Sequence, residues 1–201
     1  MRYISIGCAC NVKHQIQKHK GACKTLFFDW LITSMDSVIS VLNCADIEDI
    51  LKIGNIVIDS TNPIQNNKSK MLITSLPYCA SMHDIGRIVN KKSICDFIDK
   101  YTRRFNRLIE RIKSNEKIYF IRYNKISEDE KALFIEAILK INPICDFALV
   151  NIIIRQSDYN KSRIVKDDYF LEINIPDNKV GDWTTSSFNW KQIFLDIENH
   201  I

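Results

Sequence analysis

The sequence lacks any apolar run long enough to cross a membrane. The longest run, from Phe147 to Ile154, is far shorter than the ~20 residues that a bilayer-spanning helix needs. The first residues also lack an apolar segment of about 7–15 residues followed by small residues, which a secretory signal requires. We therefore expect neither a transmembrane helix nor a signal peptide, and we predict a cytoplasmic protein that does not bind membranes.

An excess of charge of one sign is also missing. The 28 basic and 24 acidic residues give a formal charge of +4 and are interleaved along the chain, so a nucleic-acid partner is not expected. Paired metal ligands are lacking as well, because Cys8 and Cys10 form the only close cysteine pair and the four histidines do not have zinc-finger spacing. We expect no metal and no cofactor. The odd count of 7 cysteines favours reduced thiols.

The sequence does contain enough apolar residues for a core, 46% of 201. We predict a single domain over residues 1–201, with the core motifs in 3–155 and a C-terminal strand and helix in 168–200. The polar stretch from 59 to 70 is predicted to be a surface loop.

Hydrophobic periodicity gives the order of the elements. Strands are expected at 3–7, 117–123, 147–154 and 169–175, and helices at 95–114 and 127–141. This alternation predicts an α/β fold of three layers, with a largely parallel or mixed sheet flanked by helices.

The stretch Gly7-Cys8-Ala9-Cys10 follows the first strand and precedes a helical pattern. A cysteine in the first turn of a helix lies at the positive end of the helix dipole, which favours the thiolate. Spacing alone does not choose between Cys8 and Cys10. Both could instead be buried packing residues, since cysteine is among the most buried residue types.

A thiol nucleophile needs a base and a group that orients the base. His83 is the best candidate base because it follows a strand-like segment in a short polar stretch, whereas His14 and His19 belong to a lysine-rich helix with Lys13, Lys18 and Lys20. Asp29 and Asp84 compete to orient it. Asp84 needs a turn to reach His83, while Asp29 stands in an apolar block and must be paired with His83 or an arginine such as Arg122, or satisfy backbone amides.

Arginines supply a possible binding surface. Arg103 and Arg104 point about 100° apart on a helix, so one of them could face a site and bind a carboxylate or phosphate. Arg122 ends a predicted strand, at the edge of the sheet where ligands gather. The alternative is an ordinary solvated basic helix face.

These residues carry a resemblance to a known family. The motifs are Ser5-Ile6-Gly7-x-x-Cys10-x-Val12, Phe28-Asp29-Trp30, His83-Asp84, Arg103-Arg104-Phe105 and Tyr119-Phe120-Ile121-Arg122. In this order they resemble the uncharacterised family of bacteria and large DNA viruses that is named "putative papain-like cysteine peptidase". The resemblance implies Cys10 rather than Cys8 as the nucleophile, and His83 as the base. It also implies a papain-like α+β arrangement as the alternative fold.

The leading hypothesis is a Cys-His hydrolase or acyltransferase. Cys10 would attack a peptide, isopeptide or thioester carbonyl, His83 would act as base and then acid, and amides near Asn11 would hold the oxyanion. The predicted substrate-binding residues are Asn11, Trp30, Arg104 and Arg122. The expected partner is a protein or a small acyl substrate.

Two other functions remain open. One is a catalytically silent α/β binding module of viral origin, which would use an anion pocket at the helix N-terminus and act on a host factor. The other is an enzyme of nucleotides or phosphoesters that uses His83, Arg104 and Arg122. The richness in Ile, Lys and Asn is consistent with a viral or low-GC source, in which case the host cytoplasm is the expected location.

Overall fold

The computed structural model describes residues 2–8, 10–64, 68–82, 84, 90–155, 163–176 and 189–200. The strands, in chain order, are β1 (Arg2–Ser5), β2 (Leu31–Thr33), β3 (Ile56–Ile64), β4 (Lys68–Ile73), β5 (Cys79–Ser81), β6 (Ile118–Tyr123), β7 (Phe147–Arg155), β8 (Arg163–Asp167) and β9 (Phe170–Pro176). The helices are α1 (Cys10–Lys20), α2 (Met35–Asn43), α3 (Ile47–Ile50), α4 (Lys91–Ile112), α5 (Glu128–Ile141) and α6 (Trp190–His200), with a 3-10 turn at Ile53–Asn55.

The strands form two sheets within the described residues. The larger sheet has the order β1-β6-β7-β9-β8, in which β1, β6, β7 and β9 are parallel and β8 is antiparallel to β9. The smaller sheet has the order β2-β5-β4-β3 and is antiparallel. The α/β class with a mixed sheet flanked by helices is therefore confirmed.

The larger sheet lies between two apolar cores. On β6, Ile118 and Phe120 face a core shared with α2, α4, α5 and the smaller sheet. The alternate residues Tyr119 and Ile121 face a second core, shared with α1 and α6. Because neighbouring side chains on a strand point to opposite faces, one strand contributes to both layers.

Local sequence accounts for the main helices. Helix α5 begins with a capping box, in which the Ser127 hydroxyl accepts from the amide of Glu130 and the Glu130 carboxylate accepts from the amide of Ser127. Asn90 and Ser93 cap α4 in the same way. The apolar stripe of α4 includes Phe97, Tyr101 and Leu108, which are all buried.

One predicted element is wrong. Most of the stretch from 59 to 70 belongs to β3 and β4, which pair as Ile58 with Met71 and Asp59 with Lys70. Residues 65–67 lie outside the described part. A strand made of polar residues has the composition of a loop, and only its pairing with another strand separates the two.

Candidate active site

The candidate site begins where β1 and β6 end side by side. Helix α1 follows β1 on one face of the larger sheet, and α5 follows β6 on the other face. The connections therefore diverge between two neighbouring parallel strands. Such a point opens a crevice at the carboxyl ends of the strands, where α/β proteins bind ligands.

The backbone of this crevice has an unusual conformation on both sides. Gly7 and Cys8 have φ of +79° and +69°, and Asn124, just after β6, has φ of +72°. The side-chain amide nitrogen of Asn124 donates a hydrogen bond to the Cys8 sulfur at 2.9 Å. A Cβ atom at position 7 would lie 1.8 Å from the Thr33 hydroxyl oxygen, so only glycine fits there. Left-handed conformations at non-glycine residues are concentrated at functional sites.

Cys10 is the first residue of α1 and is half-buried. Burial raises the pKa of Cys10 to about 11; a backbone hydrogen bond acts in the opposite direction, and the negative charge of Asp84 adds a smaller increase. Among the described residues, burial therefore outweighs the helix dipole, and an effect of His83 on this pKa stays a prediction. Burial also raises the pKa of Cys8, which Arg122 only partly offsets.

Asp84 lies at the centre of a polar cluster between β5 and α4. Its carboxylate accepts hydrogen bonds from the Ser81 hydroxyl at 2.6 Å, the Tyr101 hydroxyl at 2.5 Å and the Lys100 ammonium at 3.1 Å. Burial alone would raise the pKa of Asp84, but the hydrogen bonds and the charge of Arg104 outweigh it and lower the pKa. Asp84 is thus held as a carboxylate within electrostatic reach of Cys10.

Arg104 belongs to the same cluster. Its guanidinium carbon lies 4.7 Å from the centre of the Tyr101 ring, and one terminal nitrogen lies 4.0 Å from an Asp84 oxygen. That nitrogen is buried and makes no hydrogen bond within the described residues. Of the two arginines predicted to differ in direction, Arg104 is the more enclosed, and Arg103 is exposed.

Asp29 is engaged elsewhere. Its carboxylate pairs with the Lys13 ammonium at 2.7 Å and accepts from the backbone amide of Leu26 at 2.8 Å. Of the alternatives that the sequence left open, a contact with a backbone amide is observed, whereas Arg122 donates to two backbone carbonyls instead of to Asp29. Lys13 was not predicted as a partner. Burial lowers the pKa of Lys13, but Asp29 more than compensates, so the pKa is raised and the ammonium is retained.

Arg122 connects the two sheets. It donates to the carbonyl of Ile6, after β1, at 2.9 Å and to the carbonyl of Thr33, at the end of β2, at 2.8 Å. The residue is only 6% exposed. These contacts give Arg122 a clear role in holding the crevice together, and its substrate role stays a prediction.

The remaining predicted residues stand close in sequence to these groups. Asn11 is buried next to Cys10, and its side-chain oxygen has no hydrogen-bond partner within the described part of the chain. Trp30 is half-exposed, has φ of +68° and leads from Asp29 into β2. His83, the predicted base, lies outside the described residues.

Several contacts were not predicted from the sequence. Ser81, Lys100 and Tyr101 hold Asp84, and Asn124 contacts Cys8. One signal was available for Tyr101, since a tyrosine within an apolar helix stripe needs a partner for its hydroxyl. The described residues contain no group of three or more side chains able to hold a metal, and no helix there is both long and apolar enough to cross a membrane.

The fold and this crevice define an α/β protein with a cysteine at the start of its first helix. The chain belongs to the family described as "Putative papain-like cysteine peptidase (DUF1796)", whose model matches residues 1–157. The resemblance inferred from the five motifs is confirmed. The chain is also similar to "Uncharacterized protein R408" of Acanthamoeba polyphaga mimivirus, with 25% identity over 227 aligned positions covering 96% of this chain and 97% of that protein. No solved structure matches the chain.

Proposed function

We propose that the chain is a cysteine hydrolase or acyltransferase in which Cys10 attacks a peptide, isopeptide or thioester carbonyl. The observation that supports this most directly is the position of Cys10, which is the first residue of α1, the helix that directly follows β1, in a chain that belongs to this family. Asp84 is the chain neighbour of His83. His83, which directly precedes Asp84 in the chain, is the proposed base.

The chemistry follows the general scheme for a thiol nucleophile. His83 accepts the proton of Cys10 as the sulfur attacks, and returns it to the leaving group. Amides in the first turn of α1, around Asn11, stabilise the oxyanion. Water then hydrolyses the thioester in a hydrolase, whereas an amine or thiol takes the acyl group in an acyltransferase.

Arg104 is the proposed contact for a substrate carboxylate or polarised carbonyl. Its buried terminal nitrogen has a hydrogen to donate, and stacking on Tyr101 fixes the guanidinium plane. A donor held in this way discriminates between substrates because leaving it unpaired has an energetic cost.

The test is the alkylation rate of each cysteine in the native protein as a function of pH, measured by peptide mass spectrometry. We expect wild-type Cys10 to react well below the pH at which a thiol of pKa about 11 ionises. In His83→Ala the Cys10 profile should move to that high pH, while the Cys95 profile should not change. Equal profiles for Cys10 in the two proteins would contradict the proposal.

A second candidate is the catalytically silent binding module. The raised pKa of Cys10 favours it, because an uncharged thiol packs well and does not react. This function predicts that Cys10→Ser leaves binding of the partner unchanged and that Cys10 is alkylated no faster than the other half-buried thiols.

A further inference from the structure

Lys13 on α1 contacts two reactive side chains, those of Cys23 and Asp29. The Lys13 ammonium lies 3.1 Å from the Cys23 sulfur and 2.7 Å from an Asp29 oxygen. Lys13 and Asp29 are almost completely buried, with 3% and 1% of their side chains exposed. Cys23 is exposed, unlike the other six cysteines.

A small cavity gives access to these three side chains. Its volume is about 40 Å³, and Lys13, Cys23 and Asp29 all contribute to its wall. One water needs about 10–15 Å³ of such volume, so a molecule of the size of hydrogen peroxide fits. Peroxide can therefore meet the Cys23 sulfur while that sulfur is already in contact with the lysine nitrogen.

We propose that Lys13 and Cys23 are a site of oxidative modification, at which hydrogen peroxide produces a covalent bond between the Cys23 sulfur and the Lys13 nitrogen. Peroxide first oxidises the thiol by two electrons. The peroxide O–O bond breaks, a sulfenic acid forms on Cys23, and one water leaves. Sulfenic acids condense with nearby nitrogen nucleophiles, and the closest one here is the Lys13 amine.

The second step needs a proton acceptor, and Asp29 supplies it. The Lys13 ammonium gives one proton to the Asp29 carboxylate and its nitrogen lone pair attacks sulfur. The S–N bond forms, the S–O bond breaks, and the hydroxyl leaves with a second proton from nitrogen as water. An ammonium and a carboxylate are thereby converted into a neutral sulfenamide and a neutral carboxylic acid. Loss of both charges together suits a buried position, where an unpaired charge is costly.

The site is separate from the chemistry proposed for Cys10, and it does not depend on it. The proposed bond needs both Lys13 and Cys23, so it is expected only in chains that carry this pair.

The experiment treats the folded protein with hydrogen peroxide, blocks remaining thiols with iodoacetamide, and digests it with trypsin without reduction. We expect a linked pair of peptides, 3–18 and 21–24, lighter than their sum by two hydrogen atoms, with cleavage blocked after Lys13 and with Cys8 and Cys10 both alkylated. Reduction should separate the peptides and restore cleavage. A linked pair one oxygen atom heavier than this, also uncleaved at Lys13, would support the same site, with a second equivalent of peroxide having oxidised the bond by two further electrons.

Controls separate this bond from a disulfide of equal mass. A disulfide from Cys23 to Cys8 or Cys10 would leave Lys13 cleavable and one of those cysteines unalkylated, and this result would overturn the proposal. Oxidation of Cys23 to sulfinic acid without a linked pair would also overturn it. Cys23→Ser should abolish the linked pair and Cys95→Ser should not. Lys13→Arg keeps a positive charge beside Asp29 and should also abolish the linked pair. If Lys13→Arg fails to fold, the result for Cys23→Ser decides.

Discussion

The Lys13 ammonium and the Asp29 carboxylate are 2.7 Å apart, and both are almost completely buried. The pair ties α1 to the turn before β2, where Asp29 also accepts from the Leu26 amide. The same helix carries Cys10 at its first position. The pair therefore fixes the direction from which α1 approaches the crevice.

Removing one partner of this ion pair should strongly destabilise the protein. Lys13→Met leaves the Asp29 carboxylate buried without its counterion, and breaking a buried pair costs about 3–5 kcal/mol in the free energy of unfolding. Urea denaturation measures the loss. Lys18→Met on the exposed part of the same helix is the matched control, with an expected change within about 0.5 kcal/mol. Similar stabilities for the two variants would show that the pair contributes nothing.

The burial of Lys13 illustrates what sequence reasoning missed. Lys13, Lys18 and Lys20 look like one basic stretch, but residues on a helix are separated by about 100°, so Lys13 and Lys18 point about 140° apart. Lys13 is buried, whereas Lys18 and Lys20 are exposed. Only the position of the Asp29 turn, which is set by packing of distant segments, decides which lysine turns inward.

The fold was more predictable than the site. Periodicity was enough to find β6, β7 and the long helix α4, because each has a strong local pattern. The smaller sheet was not anticipated, since β2 pairs with β5 across a long stretch of chain and both are short. The candidate nucleophile could be predicted because it belongs to a motif. The Asp84 cluster could not be predicted, because Ser81 and Tyr101 reach Asp84 only after α4 packs on the smaller sheet.

Gly7 and Gly21 offer a matched test of the crevice backbone. Both have positive φ, +79° and +86°, but a Cβ at Gly7 would lie 1.8 Å from the Thr33 hydroxyl, whereas a Cβ at Gly21 meets nothing within 4 Å. Each alanine variant should lose about 1–2 kcal/mol of unfolding free energy, because a residue with a Cβ is disfavoured in the left-handed conformation. Gly7→Ala should lose about 1–3 kcal/mol more from overpacking. Equal unfolding free energies for the two variants would show that Thr33 moves aside without cost.

The lowered pKa of Asp84 predicts a dependence of stability on pH. A carboxyl whose folded-state pKa lies below its unfolded value stabilises the protein above the unfolded pKa, and this contribution is lost as the pH falls through the folded pKa. Urea unfolding across the acidic range should show a stability decrease that is smaller in Asp84→Asn. Asp96→Asn, an exposed position on α4, should retain the full decrease. If the unfolding free energy of Asp84→Asn falls with decreasing pH as steeply as that of the wild type, Asp84 is not the source of the decrease.

The charge of Asp84 also predicts how Cys10 responds to a variant. In a His83→Ala background the pKa of Cys10 should depend on burial and on Asp84, which both raise it. Adding Asp84→Asn removes the like charge and should increase the alkylation rate of Cys10 at a fixed pH below its pKa, because the pKa of the thiol falls when a nearby negative charge is removed. Adding Asp96→Asn instead should leave the rate unchanged. If Asp84→Asn has no effect on Cys10 while the protein remains folded, the two groups are not electrostatically coupled, and Asp84 does not belong to the surroundings of the thiol.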